Sequence, residues 1–477
     1  MKKILFACSE IHPLIKTGGL ADVAGSLPRA LSELSQDIKV ILPNYQSLNK
    51  TEEVRFISTV RVNNQDANIL ETHLPDSDVL VWLVDCPALF DIPGNPYVDE
   101  AGNPWDNIAE RFTLFNRVVV EVAMNRAHLN WQADVVHCND WQTGLVPALL
   151  SIESNKPPSV FTIHNMAYQG VFPDNKFYEL NLPREIWHPH GIEYHEMLSF
   201  IKGGLSYANR ITTVSPTYAL EIQTPEYGYG LEGLLSHKHQ ILSGIINGMD
   251  LDQWNPESDT SISEPYDVNT LEKKVINKTS LQARSSLPVN KSVPLFGLIS
   301  RLVEQKGIDL IIDCLGEMID MPLQFVLLGS GDKSVEQKLL NFARLYPNKI
   351  SITIGYDEAL AHQIEAGVDV FLMPSRFEPC GLNQMYSQRY GTIPIVRETG
   401  GLADTIEDAL PKSISNNTAT GISFKEASSG ALLEAIKRAM LLYSDKKTWK
   451  KIQITAMQKD FSWKNSAEQY LALYEEI

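Results

Sequence analysis

The sequence has few of the features that mark secreted, zinc-binding or membrane proteins. Its 477 residues include five cysteines, which are scattered, odd in number and without a CxxC pair: Cys8, Cys86, Cys138, Cys314 and Cys380. This pattern gives no disulfide framework and no zinc-ligand spacing, and indicates free thiols in a reducing compartment. No apolar run reaches the roughly 18 residues needed to cross a bilayer. The first strand-like run starts at Lys2, which leaves no room for a signal peptide, so we expect a cytoplasmic protein.

Basic residues are also scarce, with 41 Lys and Arg against 58 Asp and Glu and a net charge of −17. This balance argues against a sequence-independent nucleic-acid binder, which needs a basic surface to displace counterions. A few local cations could still hold a phosphate ligand in an acidic protein. The chain is too long for one ordinary core, and we expect two domains.

Short, β-branched-rich apolar runs alternate with helical segments such as 109–127 in both halves of the chain. Buried runs separated by helices predict parallel sheets covered on both faces, which is a doubly wound α/β fold. The runs cover 3–9, 38–45, 79–86, 133–140, 159–165 and 210–215 in the first half, and 294–300, 323–330, 350–356, 369–375 and 392–398 in the second.

The stretch at roughly 248–290 is polar and irregular, which favours a hinge or linker between two similar α/β halves. The closing segment 461–477 has the pattern of an amphipathic helix. We therefore expect domains at 1–247 and 248–458, followed by a terminal helix at 459–477, with a cleft between the halves.

In doubly wound sheets, ligands bind beyond the carboxyl ends of the strands, so the residues after each apolar run matter most. After the first run come Lys16, Thr17, Gly18 and Gly19. The glycines would let backbone N–H groups approach an anion, and the lysine adds a charge. A glycine turn with a solvated lysine is an equally good interpretation of this loop alone.

Later runs of the first half end in polar groups, namely His137, Asn139 and Asp140, and then His164 and Asn165. Side chains at strand ends are expected to point towards the crevice, where these could hydrogen-bond a polyhydroxyl ligand. Metal binding is a weaker alternative, because the spacing does not match a known ligand set.

In the second half, Arg301 and Lys306 follow one strand, which would suit a diphosphate, with a surface salt-bridge pair as the alternative. Tyr356 ends another strand and could stack on a planar base. A further glycine-rich strand end lies at 331–332.

The densest stretch is PSRFEPCGLNQMYSQRYG at 374–391, which joins a strand to a helix. Glu378 would lie at the crevice beside the N–H groups of Gly381 and Leu382, where it could accept hydrogen bonds from sugar hydroxyls. A packing or polar-contact role suits Cys380 better than a reactive thiolate. Thr399 with the glycines at 400–401 opens another helix as a second anion cradle. Together these groups would suit a nucleotide diphosphate joined to a polyhydroxyl group.

The sequence resembles the bacterial glycogen synthase and plant starch synthase family along essentially its whole length. The motifs that carry the resemblance are KTGGLADV, HCNDWQTGLVP, FTIHNMAYQG, TTVSPTYALEI, NGMD, SRLVEQKG, SRFEPCGLNQMYSQRYGTIPIVRETGGLADT and FSWKNSAEQYLALY. The sequence departs from commoner family residues at Asn139 and Met249.

The resemblance implies two Rossmann-like domains in the GT-B glycosyltransferase architecture, with a deep cleft between an acceptor-side N-terminal domain and a donor-side C-terminal domain. It implies that the final helix crosses back onto the N-terminal domain. The implied activity is retaining transfer of glucose from ADP-glucose to the non-reducing end of an α-1,4-glucan such as glycogen, with release of ADP. No metal and no other cofactor is implied, and neither nucleic acid nor a membrane is an expected partner.

The resemblance also implies residue roles. It gives catalytic roles to His164, Arg301, Lys306 and Glu378. It gives donor binding to Lys16, Gly18, Gly19, Asp22, Asp140, Asn247, Tyr356, Cys380, Gly381, Leu382 and Thr399.

Four other functions compete with this interpretation. A sucrose synthase or a trehalose-type synthase would share the Arg/Lys pair but should lack KTGGL and SRFEPCGL together. A phosphorylase would need a pyridoxal-phosphate lysine and usually a longer chain. An inactive glucan-binding protein would be expected to have lost Lys16, Arg301, Lys306 or Glu378, and all four are present. A dinucleotide-dependent dehydrogenase would need a GxGxxG after a strand, which this sequence lacks.

Overall fold

The computed structural model describes residues 1–48 and 53–477. The chain divides into two compact units: Met1–Gly248 with Trp463–Ile477, and Met249–Ser462.

Unit 1 is built on a sheet of nine described strands, flanked by a small three-stranded antiparallel sheet. The large sheet has the order β12-β11-β7-β6-β1-β2-β5-β4-β3, and the small one β8-β10-β9. The strands are β1 Lys3–Ala7, β2 Asp37–Pro43, β3 Arg55–Val62, β4 Gln65–His73, β5 Leu80–Asp85, β6 Val135–Asn139, β7 Ser159–Ile163, β8 Val171–Pro173, β9 Glu193–Tyr194, β10 Met197–Ser199, β11 Arg210–Thr213 and β12 Leu242–Gly244.

The large sheet is parallel from β12 to β5, as the continuous apolar runs predict, but β4 pairs antiparallel with both β5 and β3. The sequence pattern did not reveal β4 or the edge strand β3. Most of β3 is at least partly exposed, so its hydrophobic signal is weak. Asn63 and Asn64 join the pair, and both have positive φ, as a tight two-residue hairpin turn requires.

The helices of unit 1 pack on this sheet through regularly spaced apolar residues. In the first helix, Leu20, Val23, Leu27 and Leu31 share the buried face. The α-helices are α1 Gly19–Glu33, α2 Pro87–Phe90, α3 Ile108–Ala123, α4 Leu145–Ser151, α5 Asn175–Glu179, α6 Phe200–Tyr207, α7 Pro216–Glu221 and α8 Glu232–His237.

Unit 2 contains a fully parallel sheet of six described strands in the order β15-β14-β13-β16-β17-β18. Separate apolar clusters cover its two faces, which is why its strands are apolar throughout. The strands are β13 Leu295–Ile299, β14 Gln324–Gly329, β15 Ile350–Ile354, β16 Val370–Met373, β17 Ile393–Arg397 and β18 Ile422–Phe424. The helices are α9 Lys274–Arg284, α10 Ile308–Asp320, α11 Lys333–Leu345, α12 Glu358–Gly367, α13 Asn383–Arg389, α14 Gly400–Thr405, α15 Pro411–Asn416, α16 Ser429–Ser444 and α17 Lys446–Met457.

In the segment 248–290, predicted as an irregular hinge or linker, residues 249–290 belong to unit 2. The segment contains α9, whose Leu281 is buried in a core cluster. The Trp254 ring stacks between the rings of His362 and Tyr386, with both centroid separations at 4.0 Å. The polar composition of the segment hid these anchors, because one aromatic residue among turns gives no periodic signal.

The last helix, α18 Trp463–Glu475, packs against α1 in unit 1. The Tyr474 hydroxyl lies 2.6 Å from Nδ1 of the buried His137 on β6. Among the described residues, no helix is both long and apolar enough to cross a membrane.

The strand orders locate the place in each sheet where a ligand is expected. The chain winds outward in both directions from β1 and β6 in unit 1, and from β13 and β16 in unit 2. Loops that leave the carboxyl ends of such strand pairs diverge and open a crevice. The segments that follow β1 and β6 therefore carry the candidate site residues of unit 1, and those that follow β13 and β16 carry the candidate site residues of unit 2.

Candidate active site

The loop after β1 is shaped by a buried carboxylate that the sequence pattern did not single out. Glu10 is only 3% exposed. Its Oε2 accepts hydrogen bonds from the Thr17 N–H at 2.5 Å, the Thr17 hydroxyl at 2.8 Å and the Gly18 N–H at 3.1 Å. Its Oε1 accepts a bond from the Tyr97 hydroxyl at 3.0 Å. The N–H groups of Thr17 and Gly18, expected to face an anionic ligand, are thus held by the protein's own carboxylate.

The rest of this loop remains open to a ligand. Lys16 is 43% exposed at its side chain, and its Nζ lies 2.6 Å from Oδ1 of Asp22 on α1. A Cβ added to Gly18 or Gly19 would meet no atom within 4 Å in the part of the chain that the structure describes. Neither glycine has a positive φ. Since neither packing nor backbone conformation requires these glycines, close approach of a ligand is a physical reason for them.

Asp140, directly after β6, is strained and buried. Its φ is +56°, an uncommon conformation for a residue with a side chain. Its Oδ1 accepts a hydrogen bond from the His164 N–H at 2.7 Å. Burial raises the carboxyl pKa to about 7, against the lowering effect of the His164 and Asn165 N–H groups. Asp140 therefore changes charge near neutral pH, next to the end of β7.

His164 is a neutral imidazole with an assignable tautomer. Burial lowers its pKa to about 3. Its Nε2 lies 2.9 Å from Oδ1 of Asn139, and the Asn139 amide nitrogen donates to the Ala7 carbonyl at 3.0 Å. Because the Asn139 oxygen must then be the acceptor, the His164 proton is on Nε2. This ring offers no positive charge to a substrate at neutral pH.

The position of His137 near a strand end predicted a side chain that points towards the crevice, but this prediction is wrong. His137 is fully buried, with Nδ1 bonded to Tyr474 and Nε2 lying 2.6 Å from the Thr162 hydroxyl. Residues alternate between the two faces of a strand, so His137 and Asn139 share one face and only the end of β6 reaches the crevice. His137 is a structural link to α18.

Asn247, which follows β12, is buried, and its Oδ1 has no hydrogen-bond partner among the described residues. A buried amide oxygen without a donor is costly, so a ligand donor at this position would be favourable.

In unit 2, the segments after β13 and β16 meet in an ion pair. Nζ of Lys306 lies 2.5 Å from Oε2 of the buried Glu378, which also accepts a bond from the Ser375 hydroxyl at 3.0 Å. Gly307 makes this approach possible: its φ is +66°, and a Cβ there would lie 2.1 Å from the Pro374 carbonyl oxygen. We expected Glu378 to lie beside the N–H groups of Gly381 and Leu382. In the structure its carboxylate pairs with Lys306, one of the two cations predicted to bind a diphosphate.

The backbone around Glu378 is fixed by arginines. The guanidinium of Arg397 donates to the carbonyls of Ser375, at 2.9 Å, and Arg376. Arg376 in turn pairs with Asp309 on α10. Arg301 is exposed, and its guanidinium donates a long hydrogen bond, of 3.5 Å, to Oε1 of Gln305. Lys306 is thus paired with Glu378, while the exposed Arg301 guanidinium is available to an anion.

The second predicted anion cradle is partly used by the protein. Thr399 is fully buried at the start of α14. The N–H of Gly401 donates to the carbonyls of Glu378, at 3.2 Å, and Pro379, at 3.1 Å. The Gly401 N–H therefore binds the backbone at 378–379 and is not available to an anion. This contact places α14 directly against the buried Cys380.

Two further predicted strand ends differ from each other. Tyr356 follows the edge strand β15 and is 81% exposed, which leaves its ring accessible. At 331–332, the Gly331 N–H donates to Glu336, and Asp332 caps α11. This glycine-rich strand end is therefore a helix cap.

Glu10 and Tyr97 are the polar residues of the unit 1 site that sequence reasoning missed. Tyr97 hydroxyl also lies 2.9 Å from the Ser9 hydroxyl and 3.1 Å from Nε2 of Gln142. An acidic residue directly after the first predicted run, 3–9, and shortly before a glycine-rich loop was a signal for Glu10. Tyr97 lies in an irregular segment and gave no such signal.

Each unit thus brings together groups suited to polar, anionic ligands. Unit 1 offers a lysine, open glycines, a carboxyl that titrates near neutral pH and a neutral histidine. Unit 2 offers two cations, of which one is paired to a buried carboxylate. Fixed cations and N–H dipoles of this kind stabilise negative charge that develops on a leaving group.

Comparison with known proteins covers the whole chain. A family model described as starch synthase catalytic domain matches residues 3–237, and a model described as glycosyl transferases group 1 matches residues 280–455. Glycogen synthase 1 of Methylococcus capsulatus is 52% identical over 474 residues, which cover 99% of this chain and 96% of that protein. Glycogen synthase of Thioalkalivibrio sulfidiphilus is 49% identical over 480 residues, covering 100% and 99%.

Solved structures agree in fold. The catalytic domain of starch synthase IV from Arabidopsis thaliana, bound to ADP and acarbose, is 30% identical and superposes with a TM-score of 0.89 over 100% of this chain and 99% of that one. Sucrose-phosphate synthase from Thermosynechococcus elongatus has a TM-score of 0.60 over 100% and 99% of the two chains. At 16% identity, this second likeness concerns the fold alone.

Proposed function

This chain belongs to the bacterial glycogen synthase family of GT-B glycosyltransferases, and from that membership we propose that it transfers glucose from ADP-glucose to the non-reducing end of an α-1,4-glucan. The observation that carries the proposal is identity of about half the residues, over the full chain, to proteins named glycogen synthase. The ADP bound to the related starch synthase structure supports the choice of donor.

In the proposed reaction, the bond between the anomeric carbon of glucose and the diphosphate oxygen breaks. A new bond forms from that carbon to the 4-hydroxyl oxygen of the terminal glucan residue. The acceptor approaches from the same face as the departing ADP, whose phosphate takes the hydroxyl proton, so the configuration is retained. Among the described residues we assign no carboxylate as the covalent nucleophile of a double displacement, the route that retaining glycosidases use.

Unit 2 residues act mainly on the leaving group in this proposal. Arg301 and Lys306 neutralise charge on ADP as the bond breaks, aided by N–H groups of Gly381 and Leu382 and by Thr399. The short contact between Lys306 and Glu378 supports this role, because the carboxylate fixes where the ammonium lies. Glu378 in addition contacts the sugar, Cys380 lines the donor site, and Tyr356 stacks on the base of the nucleotide.

Unit 1 residues act mainly on the glucose and the phosphates. Asp140 and Asn247 contact the glucose or the phosphates, and the backbone carbonyl of His164 stabilises positive charge that develops at the anomeric carbon. Lys16 and the open glycines at 18–19 contact the phosphates, with Asp22 orienting Lys16. The neutral state of the His164 ring is consistent with an effect exerted through its carbonyl.

The test is a coupled assay of nucleotide release from ADP-glucose, with and without glycogen, run in parallel with UDP-glucose. We expect release of ADP that depends on glycogen, and slow turnover of UDP-glucose. Faster turnover of UDP-glucose would replace the proposed donor. Release from neither sugar nucleotide, with glycogen binding intact, would favour the inactive glucan-binding alternative.

A further inference from the structure

Gln384 is a buried residue of α13 to which neither the sequence pattern nor the proposed reaction gives a role. Its side chain is completely buried. Its amide nitrogen donates to the carbonyl oxygens of Cys380 at 3.0 Å and Gly381 at 3.1 Å, and to the Thr405 hydroxyl at 3.2 Å. One amide therefore holds two consecutive backbone carbonyls and one residue of α14.

The two carbonyls determine where two N–H groups point. A peptide unit is planar and trans, so its carbonyl and its N–H point in opposite directions. The Cys380 carbonyl and the Gly381 N–H belong to one unit, and the Gly381 carbonyl and the Leu382 N–H belong to the next. By drawing both carbonyls towards the core, Gln384 turns the N–H groups of Gly381 and Leu382 away from it.

These two N–H groups are available to a ligand. In the ranges 1–48 and 53–477, neither the Gly381 nor the Leu382 N–H has a protein acceptor. Gly381 has a φ of +73°, and a Cβ there would lie 2.5 Å from Gln384 Oε1. Successive N–H groups around a left-handed residue form a concavity that favours anions. The glycine and the glutamine beneath it are thus shaped to each other.

Gln384 also couples this turn to α14. The Thr405 hydroxyl, which accepts from Gln384, donates to the Gly401 carbonyl at 2.6 Å. The Gly401 N–H in turn donates to the Glu378 and Pro379 carbonyls. The amide of Gln384 is therefore one member of a closed set of bonds around residues 378–382.

We propose that Gln384 is a positioning residue for the diphosphate of the donor: it holds the Gly381 and Leu382 N–H groups in the orientation that binds phosphate oxygens. This inference rests on the proposed function, since it takes a nucleoside diphosphate as the ligand.

Gln388 provides a matched control one helical turn further along. It too is completely buried, and its amide donates to the Gln384 and Thr405 backbone carbonyls, both at 3.2 Å, but not to residues 380–381. The experiment measures the Kd of ADP by calorimetry, the KM of ADP-glucose and of glycogen, and Tm, for the full-length wild type, Gln384→Met and Gln388→Met.

We expect Gln384→Met to weaken ADP binding about tenfold or more and to raise the KM of ADP-glucose similarly, because two N–H groups lose their orientation. The KM of glycogen should stay within about twofold. Gln388→Met should lose a similar amount of Tm, with an ADP Kd within about threefold of wild type. Wild-type ADP affinity in a folded Gln384→Met protein would overturn the proposal, as would equal losses in both variants.

A second pair of variants keeps the test decisive if Gln384→Met does not fold. Thr405→Val removes the third bond of the Gln384 amide, and Thr405→Ser keeps it. We expect ADP binding to weaken about threefold in the valine variant and to be restored in the serine variant. Equal ADP affinities in the two would overturn the proposal. A wild-type protein that fails to bind ADP would instead overturn the proposed donor, and this inference with it.

Discussion

At the scale of single residues, the ion pair between Lys306 and Glu378 is the feature that most directly links structure to chemistry. The carboxylate is buried, and its contact with the ammonium is 2.5 Å long. Desolvation of a buried ion pair costs free energy that its Coulombic attraction often does not recover, so stability of the fold alone does not explain the pair. It fixes a cation at the crevice before any ligand arrives, which is the arrangement that stabilises a charged leaving group.

We predict that Lys306→Ala lowers kcat about 100-fold or more, with little change in the KM of glycogen, because charge on ADP grows as the bond breaks. Lys333→Ala is the matched control, since Lys333 also pairs with a glutamate of unit 2, at 2.8 Å, but on an exposed helix start. Steady-state kinetics on both variants check this. An unchanged kcat in Lys306→Ala would show that Lys306 does not stabilise the departing ADP.

Asp140 gives a prediction about pH. Its carboxyl has a pKa raised by burial to about 7, so the ionised fraction grows as pH rises through neutrality. A carboxylate accepts hydrogen bonds from sugar hydroxyls better than a carboxylic acid does. We therefore expect kcat/KM for ADP-glucose to rise with pH between about 6 and 8.

In Asp140→Asn this rise should flatten, and the backbone conformation should be retained, because the asparagine side chain is nearly the same size and shape and its oxygen can still accept the His164 N–H bond. Asp66→Asn, at an exposed ion pair of unit 1, should keep the wild-type profile. Identical pH profiles for wild type and Asp140→Asn would show that another group controls the pH dependence.

Sequence reasoning selected residues that the structure places after the ends of strands, but it did not predict their hydrogen-bond partners. Lys16, Asp140, Arg301 and Glu378 follow strands β1, β6, β13 and β16, and the rule about strand ends located them. That Glu10 would occupy the Thr17 and Gly18 N–H groups depends on how a loop folds back on itself. Their roles in donor binding and catalysis remain predictions.

At the scale of elements, the first glycine-rich loop can be tested separately from stability. Gly18 has an extended backbone, with φ −152°, and open space around its Cβ position. We predict that Gly18→Ala leaves Tm unchanged and raises the KM of ADP-glucose about tenfold, because the methyl group occupies space that a phosphate needs.

Gly316→Ala, at a similarly open glycine in α10, is the control and should leave the KM of ADP-glucose unchanged. Thermal unfolding and donor kinetics on both variants measure the effect. A wild-type KM in Gly18→Ala would mean that no ligand comes close to this loop.

The attachment of α18 to β6 predicts how stability responds to acid. Burial lowers the pKa of His137 from 6.5 to about 3. Between those values only the unfolded chain takes up a proton at this site, so lowering the pH favours unfolding. In the matched comparison, we expect His137→Gln to lose less unfolding free energy than wild type when pH falls from 7 to 5, by about 2 kcal/mol.

Urea unfolding at the two pH values measures this difference, and His237→Gln, at an exposed position of α8, should behave as wild type. Equal acid sensitivity in wild type and His137→Gln would show that His137 is not the group whose protonation opposes folding.

The elements themselves show why sequence patterns succeed and fail. The eleven predicted apolar runs all contain strands, because a parallel strand covered on both faces must be apolar throughout. Strands β3 and β4 were missed because an edge hairpin needs fewer buried residues. Helix α9 was missed because even its buried face is mainly polar, with Leu281 as the one apolar residue among Lys274, Asn277, Lys278 and Gln282.

At the scale of the whole molecule, each of the two units contains residues that we assign to the donor. Unit 1 carries most of the groups assigned to glucose and one cation, Lys16, assigned to the phosphates, while unit 2 carries Arg301 and Lys306, in a protein whose net charge is −17. A polyanionic donor is therefore attracted by a few local cations rather than by the overall field. Family models match residues in both units.

The most direct test of this account follows the transferred glucose. Purified protein is incubated with ADP-glucose labelled in the glucose and with maltoheptaose, and the products are digested with β-amylase, which removes maltose from non-reducing ends of α-1,4-glucans. We predict labelled oligosaccharides longer than seven units, and release of the label as maltose. Absence of labelled oligosaccharide, or label that resists β-amylase, would contradict transfer to the non-reducing end through an α-1,4 bond.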